Sequence, residues 1–221
     1  MVKRGLIIGI DDTAVTGLWT LTGWEFPLPE QVTNLISVPG RRKGPLNLST
    51  VLTDGDPVYD SRILTATFES SEGNRLDREN RISVMVNWLD GWTHDITLPD
   101  DPDHYIVGQV HVEKLYNDMA HASVRVTAVC EPWRYNRIET EVSLLAGSAE
   151  QTATLPNLGR LAVVPLLTVT GTSVVLKVGS SSWALGAGTY SLPDLLVPSG
   201  GLAITYSGTG GLHFVYREAV L

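Results

Sequence analysis

The sequence predicts a mainly β protein with one principal α-helix, an α+β arrangement in two parts. Only one segment carries a good helical stripe: Ile82, Met85, Val86 and Leu89 recur at i, i+3, i+4 and i+7. Elsewhere apolar and polar residues alternate, most clearly over 62–69 (Arg-Ile-Leu-Thr-Ala-Thr-Phe-Glu), the pattern of a half-buried strand. The charge is uneven. After Arg137 the only basic residues are Arg160, Lys177 and Arg217, and Gly, Ser, Thr, Val and Leu dominate. A boundary near 136–141 follows, with one part over 1–137 and a second over 138–221.

In the first part, 6–10 is a short apolar strand and 17–24 alternates loosely as another. Residues 32–38 follow, then the turn pair Pro39-Gly40. Residues 45–53 are extended and close at Asp54-Gly55-Asp56-Pro57, before the strand over 62–69. The helix, about 75–90, has Asn74 as its N-cap. Asp77 sits where the positive end of the helix dipole favours a carboxylate, and Gly91 stands at the C-terminal cap. Its stripe predicts packing on a sheet, with no cofactor implied. Strands over 93–98, 105–112 and 122–129 complete the part, with a loop at 99–103. The second part shows short strands over 141–145, 150–155, 161–169, 173–178, 182–185, 188–192, 202–206 and 212–217. Gly171, Gly179, Gly186 and the runs at 198–201 and 208–211 separate them, which predicts an antiparallel β-sandwich.

Composition narrows function. With 43% hydrophobic and 18% charged residues, the chain has enough apolar surface to build a core and is not disordered. A net charge of −8 leaves too few cations to cover a phosphate backbone, which disfavours specific nucleic-acid binding. The single cysteine, Cys130, excludes an intrachain disulfide and alternates with Val124, Val126 and Ala128, so it is read as a core residue. The short N-terminal apolar run, ended by Asp11 and Asp12, fits neither a signal peptide nor a membrane span.

Candidate chemistry is sparse. Asp100, Asp101 and Asp103, beside His104, are the metal candidates, because closely spaced carboxylates suit calcium. Their spacing departs from the calcium-loop pattern, and an ordinary acidic loop is the preferred reading. His94, His104, His111, His121 and His213 have no zinc-site spacing. There is no Gly-x-Ser-x-Gly elbow, and Gly179-Ser180-Ser181-Ser182-Trp183 reads as a serine turn. Glu139 and Glu141 read as solvated boundary residues. No catalytic residue, cofactor site or phosphate loop is expected. Trp183, Tyr190 and Tyr206 form an alternative, a stacking face for a sugar.

The order of motifs carries a resemblance. Val38-Pro39-Gly40 is followed by Tyr59-Asp60-Ser61-Arg62, and then by Asn87-Trp88-Leu89-Asp90-Gly91 in the helix. Leu98-Pro99-Asp100-Asp101-Pro102 and His104-Tyr105-Ile106-Val107-Gly108 come next, and a valine-rich strand ends in Cys130-Glu131-Pro132-Trp133-Arg134-Tyr135. This resembles the N-terminal domain of siphophage distal tail proteins, the Dit-like tail-tip hub proteins. Trp133 and Arg134 stand at the aromatic and basic positions of that family's Cys-x-Pro-Tyr-Lys-like ending. Residues 188–195, the Gly-rich turn before Gly211, and Phe214-Val215-Tyr216-Arg217-Glu218 resemble the family's galectin-like accessory domain.

The resemblance implies a ring-forming N-terminal domain and a homohexameric ring that joins tail tube to tail tip. The implied partners are the major tail tube protein, the tape-measure protein and tail-associated or receptor-binding proteins. DNA would pass through the ring without specific binding. The implied location is the virion tail tip, after synthesis in the host cytoplasm.

Overall fold

Strand alternation builds the first sheet. Along β5 (Arg62–Ser70) every second residue is buried, with Leu64, Ala66 and Phe68 on one face, because successive strand side chains point to opposite sides. β5 pairs antiparallel with β8 (Ala122–Asn136), placing Leu64 opposite Ala128 and Phe68 opposite Val124. In this computed structural model, which describes residues 4–7, 19–37, 46–51 and 57–221, the sheet order is as follows. β1 (Arg4–Ile7) lies beside β6 (Thr93–Leu98), then come β7 (Asp101–Asn117), β8, β5 and β2 (Thr20–Glu25). β1 runs parallel to β6. The short strands β3 (Leu35–Ile36) and β4 (Leu46–Asn47) pair with each other away from this sheet.

The helix α1 (Arg75–Leu89) begins in a capping box: Asn74 accepts from Leu76 N and Asp77 N, and the Asp77 carboxylate accepts from Asn74 N. Gly91, at φ +76°, ends it in the left-handed region. Ile82, Met85 and Leu89 join Leu64, Phe68, Ile96, Ile106, Val110, Val124 and Val126 in one core. Arg78 is also buried, on the same helical face one turn before Ile82. Its guanidinium donates to Gly73 O, Asn117 Oδ1, Asp118 O and Met119 O, and so ties the first helical turn to the β7–β8 tip.

The expected helix and the strands over 62–69 and 93–98 are found within a residue or two. The expected strand over 105–112 is longer at both ends. Only Pro99 and Asp100 turn the chain, so Asp101 and Asp103 are strand residues rather than loop residues. Pro39-Gly40, the stretch 54–56 and the N-terminal residues 8–12 lie outside the described residues.

The chain divides into two units, Met1–Pro132 with Leu221, and Trp133–Val220. In the second unit the structure corrects the strand count. Residues 161–169 and 173–178 were expected as two strands, as were 202–206 and 212–217. The structure has two long strands, β11 (Leu166–Val178) and β14 (Leu202–Tyr216), paired antiparallel from Leu166↔Val215 to Lys177↔Thr205. Of the glycines expected to separate strands, Gly171 and those over 208–211 lie inside this ladder, beside the register shift between Gly171 and Ser173, whereas Gly179 and Gly186 do separate strands. β14 takes β9 (Thr140–Ala146) and β10 (Gln151–Leu155) along successive stretches of its outer edge. β11 takes β12 (Ser181–Leu185) and β13 (Gly188–Ser191) in the same way.

The result is two antiparallel halves, β10-β14-β11-β12 and β9-β14-β11-β13. Leu155, Val174, Leu176 and Ile204 from one half, and Leu167, Val169, Leu212 and Phe214 from the other, share a single core. A flat ladder would hold these two sets apart. The bulge and glycines bend both long strands and fold the halves into a sandwich.

The end of the chain closes this unit. β15 (Ala219–Val220) pairs with Tyr135 and Arg134. Glu218 is buried, and its carboxylate accepts from Thr140 Oγ1 at 2.8 Å, Leu158 N at 2.8 Å and Gly159 N at 3.1 Å. Arg217 donates to Asn136 O and Arg137 O and pairs with Glu139.

Candidate functional site

The acidic stretch forms no cage. Asp100 lies in the turn between β6 and β7, while Asp101 and Asp103 lie on β7. The structure pairs Asp101 with His104, whose Nδ1 is 2.6 Å from Oδ1. Among the described residues no three His, Cys, Asp or Glu side chains are grouped so as to hold a metal ion.

Cross-strand register decides where the aromatics face. Trp183 is opposite Leu176, and Leu176 is opposite Tyr206. Tyr190 is opposite Leu167, and Leu167 is opposite Phe214. Directly opposed residues share a face, and Leu176, Leu167 and Phe214 are fully buried. Tyr206 is therefore a core residue, and Trp183 and Tyr190 pack against the same core. The Tyr190 hydroxyl donates to Gly186 O. The three rings belong to two separate rows on the inward side.

Three further histidines have local neighbours. His111 lies 2.7 Å from Asp90 Oδ1, His213 lies 3.4 Å from Glu141 Oε2, and His94 is buried beside the Trp88 ring. Cys130 is buried, and desolvation pushes its thiol up to about 12, which keeps it protonated and unreactive. An open groove of about 420 Å³ runs along the start of α1, lined by Arg75, Leu76, Glu79, Lys114 and Asn117. Two cations, Arg75 and Lys114, and one carboxylate, Glu79, line it. Lys114 Nζ is 2.8 Å from Glu79 Oε1 and Asn117 Nδ2 is 2.9 Å from Oε2, and these bonds hold the Glu79 carboxyl below its ordinary range. A carboxylate stabilised in its ionised form, on an exposed surface, is poorly placed for acid–base work.

What the structure offers is surface. On the face of β5 and β8 away from α1, Ile63 and Val129 are direct cross-strand neighbours and stand 55% and 57% exposed. Strand reasoning passed over them. Their signal is present as Ile63-Leu64 and Val129-Cys130, apolar pairs that break the alternation on two neighbouring strands.

No family model matches the chain, and no curated protein matches it. Among solved structures it is similar to the crystal structure of the SPP1 Dit (gp 19.1) protein, described as a paradigm of the hub adsorption apparatus in Gram-positive infecting phages. The TM-score is 0.65 at 14% identity, over 94% of this chain and 96% of that one. The chain has the SPP1 Dit fold. The likeness spans both units, so it rests on the succession of a helix-backed sheet and a bent-strand sandwich rather than on either alone. No helix among the described residues is long and apolar enough to cross a membrane.

Proposed function

We propose that the protein is a non-catalytic structural component of a phage tail, a distal tail hub or adaptor that forms a ring. The observation that carries this reading is the shared fold with SPP1 Dit over nearly the full length of both chains. On this reading the N-terminal unit forms a homohexameric ring and the C-terminal one is a galectin-like accessory sandwich. The ring joins the tail tube to tail-tip or receptor-binding proteins, contacts the tape-measure protein, and sits at the tail tip of the virion. The local pairing of Glu79, His104, His111 and His213 is in keeping with a scaffold role. A net charge of −8 suits a ring through which DNA slides without adhering.

Mass photometry of the full-length protein across a concentration series tests this. The expected species is a closed ring with the mass of six copies. Single molecules at every concentration, alone and with a tail tube protein, would overturn the reading. The competing view, a glycan-binding module using Trp183, Tyr190 and Tyr206, predicts saturable binding of cell-wall polysaccharide that Trp183→Ala abolishes. The inward rows of these rings lead us to expect none.

A further inference from the structure

No charged residue lies between Lys177 and Asp194. This stretch forms β12 and β13, and among the described residues each of them pairs with β11 alone, so each is an edge of the sandwich. An edge strand turns the N–H and C=O groups of alternate residues away from its neighbour, toward any strand that arrives. Other edges of the molecule carry a guard. β9 holds Glu141, β10 is bracketed by Glu150 and Pro156, β1 begins with Arg4, and β2 is broken by a register shift and ends at Glu25. β12 has neither charge, proline nor bulge, and pairs with β11 in unbroken register from Val178↔Ser181 to Val174↔Leu185.

The side chains of β12 say what kind of strand would fit. Ser181, Trp183 and Leu185 lie on the core side, while Ser182 and Ala184 are exposed on the other face. One row of opposed residues runs Tyr206, Leu176, Trp183 across β14, β11 and β12. Leu176 and Tyr206 are buried, but Trp183 is only half-buried, because no described strand lies beyond it. Its ring closes the core on one side and stands open on the other. A further strand would continue this row and cover the ring with an apolar side chain. On the outer face Ser182 and Ala184 are too small to obstruct it.

We propose that β12 is a docking edge at which an extended, uncharged segment of another protein adds as a further strand of the sandwich. Two observations select this occupant. The free groups of the edge are backbone N–H and C=O, which only another extended backbone can satisfy as a ladder, so affinity comes from the main chain and specificity from alternate side chains. The edge offers no charge to an acidic or basic segment and offers an open indole ring, so the incoming strand alternates apolar residues, facing Trp183 and Leu185, with small polar ones. A second copy is a poorer occupant, because pairing two chains of net charge −8 brings like charges together. The proposal concerns the second unit alone and does not depend on ring formation by the first.

The test titrates the full chain into a fluorescein-labelled peptide of alternating threonine and valine carried on a Gly-Ser tail, and follows anisotropy. The expected result is saturable binding, weakened about tenfold or more when every backbone nitrogen of the peptide is methylated, which removes its donors and keeps its side chains. Trp183→Lys, which puts an inward-pointing charge on the edge, should weaken binding to the same extent. Hydrogen exchange of wild type should show peptide-induced protection at residues 181–185 and none on β9 or β10. No saturation, equal binding of the methylated peptide, or protection elsewhere would overturn the proposal. If Trp183→Lys loses cooperative unfolding, the wild-type exchange map decides by the same criterion. If Trp183→Lys folds and instead lowers the mass of the largest species seen for the protein alone by mass photometry, a second copy occupies the edge and the proposal fails. A wild-type ring that forms equally with Trp183→Lys leaves the ring reading intact whichever way the peptide result falls.

Discussion

Tyr216 links one hydroxyl to the pH response of the fold. Its side chain is buried and donates to Pro156 O. Burial, with a smaller contribution from Glu218, pushes the phenol from its ordinary 10.0 up to about 12. The raised value fixes the sign. The neutral phenol favours the fold fully below pH 10, and as pH rises toward 12 the unfolded chain releases the proton first, so that advantage is lost. Urea unfolding midpoints should therefore fall more steeply between pH 10 and 12 for wild type than for Tyr216→Phe, which has no proton to lose. Parallel pH profiles for the two proteins would assign the alkaline loss to other groups. Glu218 also acts at a distance: one buried carboxylate with three donors holds the start of β9 and the loop at Leu158 and Gly159 at once.

At the scale of elements, the second unit depends on bending two strands without breaking them. A Cβ at Gly208 would lie 2.1 Å from Ser173 O, and one at Gly210 would lie 2.0 Å from Thr170 O. Both residues also have positive φ, +125° and +149°. Gly208→Ala therefore meets a strained backbone and a collision with the neighbouring strand, and should destabilise this unit by on the order of 3 kcal/mol. Gly186→Ala is the control, because a Cβ there meets nothing within 4 Å. Chemical denaturation with tryptophan fluorescence, comparing the two variants, checks this. Equal stability would mean that the bend relaxes freely. In the first unit, the capping box, Gly91 and the buried stripe agree on the ends and face of α1, which is why that element was legible residue by residue.

For the whole molecule, two separate cores imply two folding units, and the structure says where the second must begin. β15 pairs with Arg134 and Tyr135, and Arg217 is held by the carbonyls of Asn136 and Arg137. A fragment starting at Trp133 keeps these partners, and a fragment starting at Glu139 loses them. The longer fragment should unfold cooperatively with native-like near-ultraviolet dichroism. The shorter one should melt several degrees lower. Equal melting would show that the β8 end contributes nothing to this unit.

The sequence by itself determined the class of the fold and its local elements. The stripe from Ile82 to Leu89, the caps at Asn74 and Gly91, and the alternation over Arg62–Ser70 are short-range signals that depend on periods of 3.6 and 2. Tertiary structure alone decided what those periods leave open. Gly171 and Gly208 read locally as breaks, but become bends inside a continuous ladder because each lets an opposing strand approach. Trp183, Tyr190 and Tyr206 were visible as aromatics, yet whether they faced outward depended on lying opposite Leu176 and Leu167, residues remote in the chain. The Ile63–Val129 pair likewise exists only once β5 and β8 are neighbours. A residue's own neighbours in the chain set the direction in which its side chain alternates. Only register across strands sets whether that direction leads to a core or to an open face.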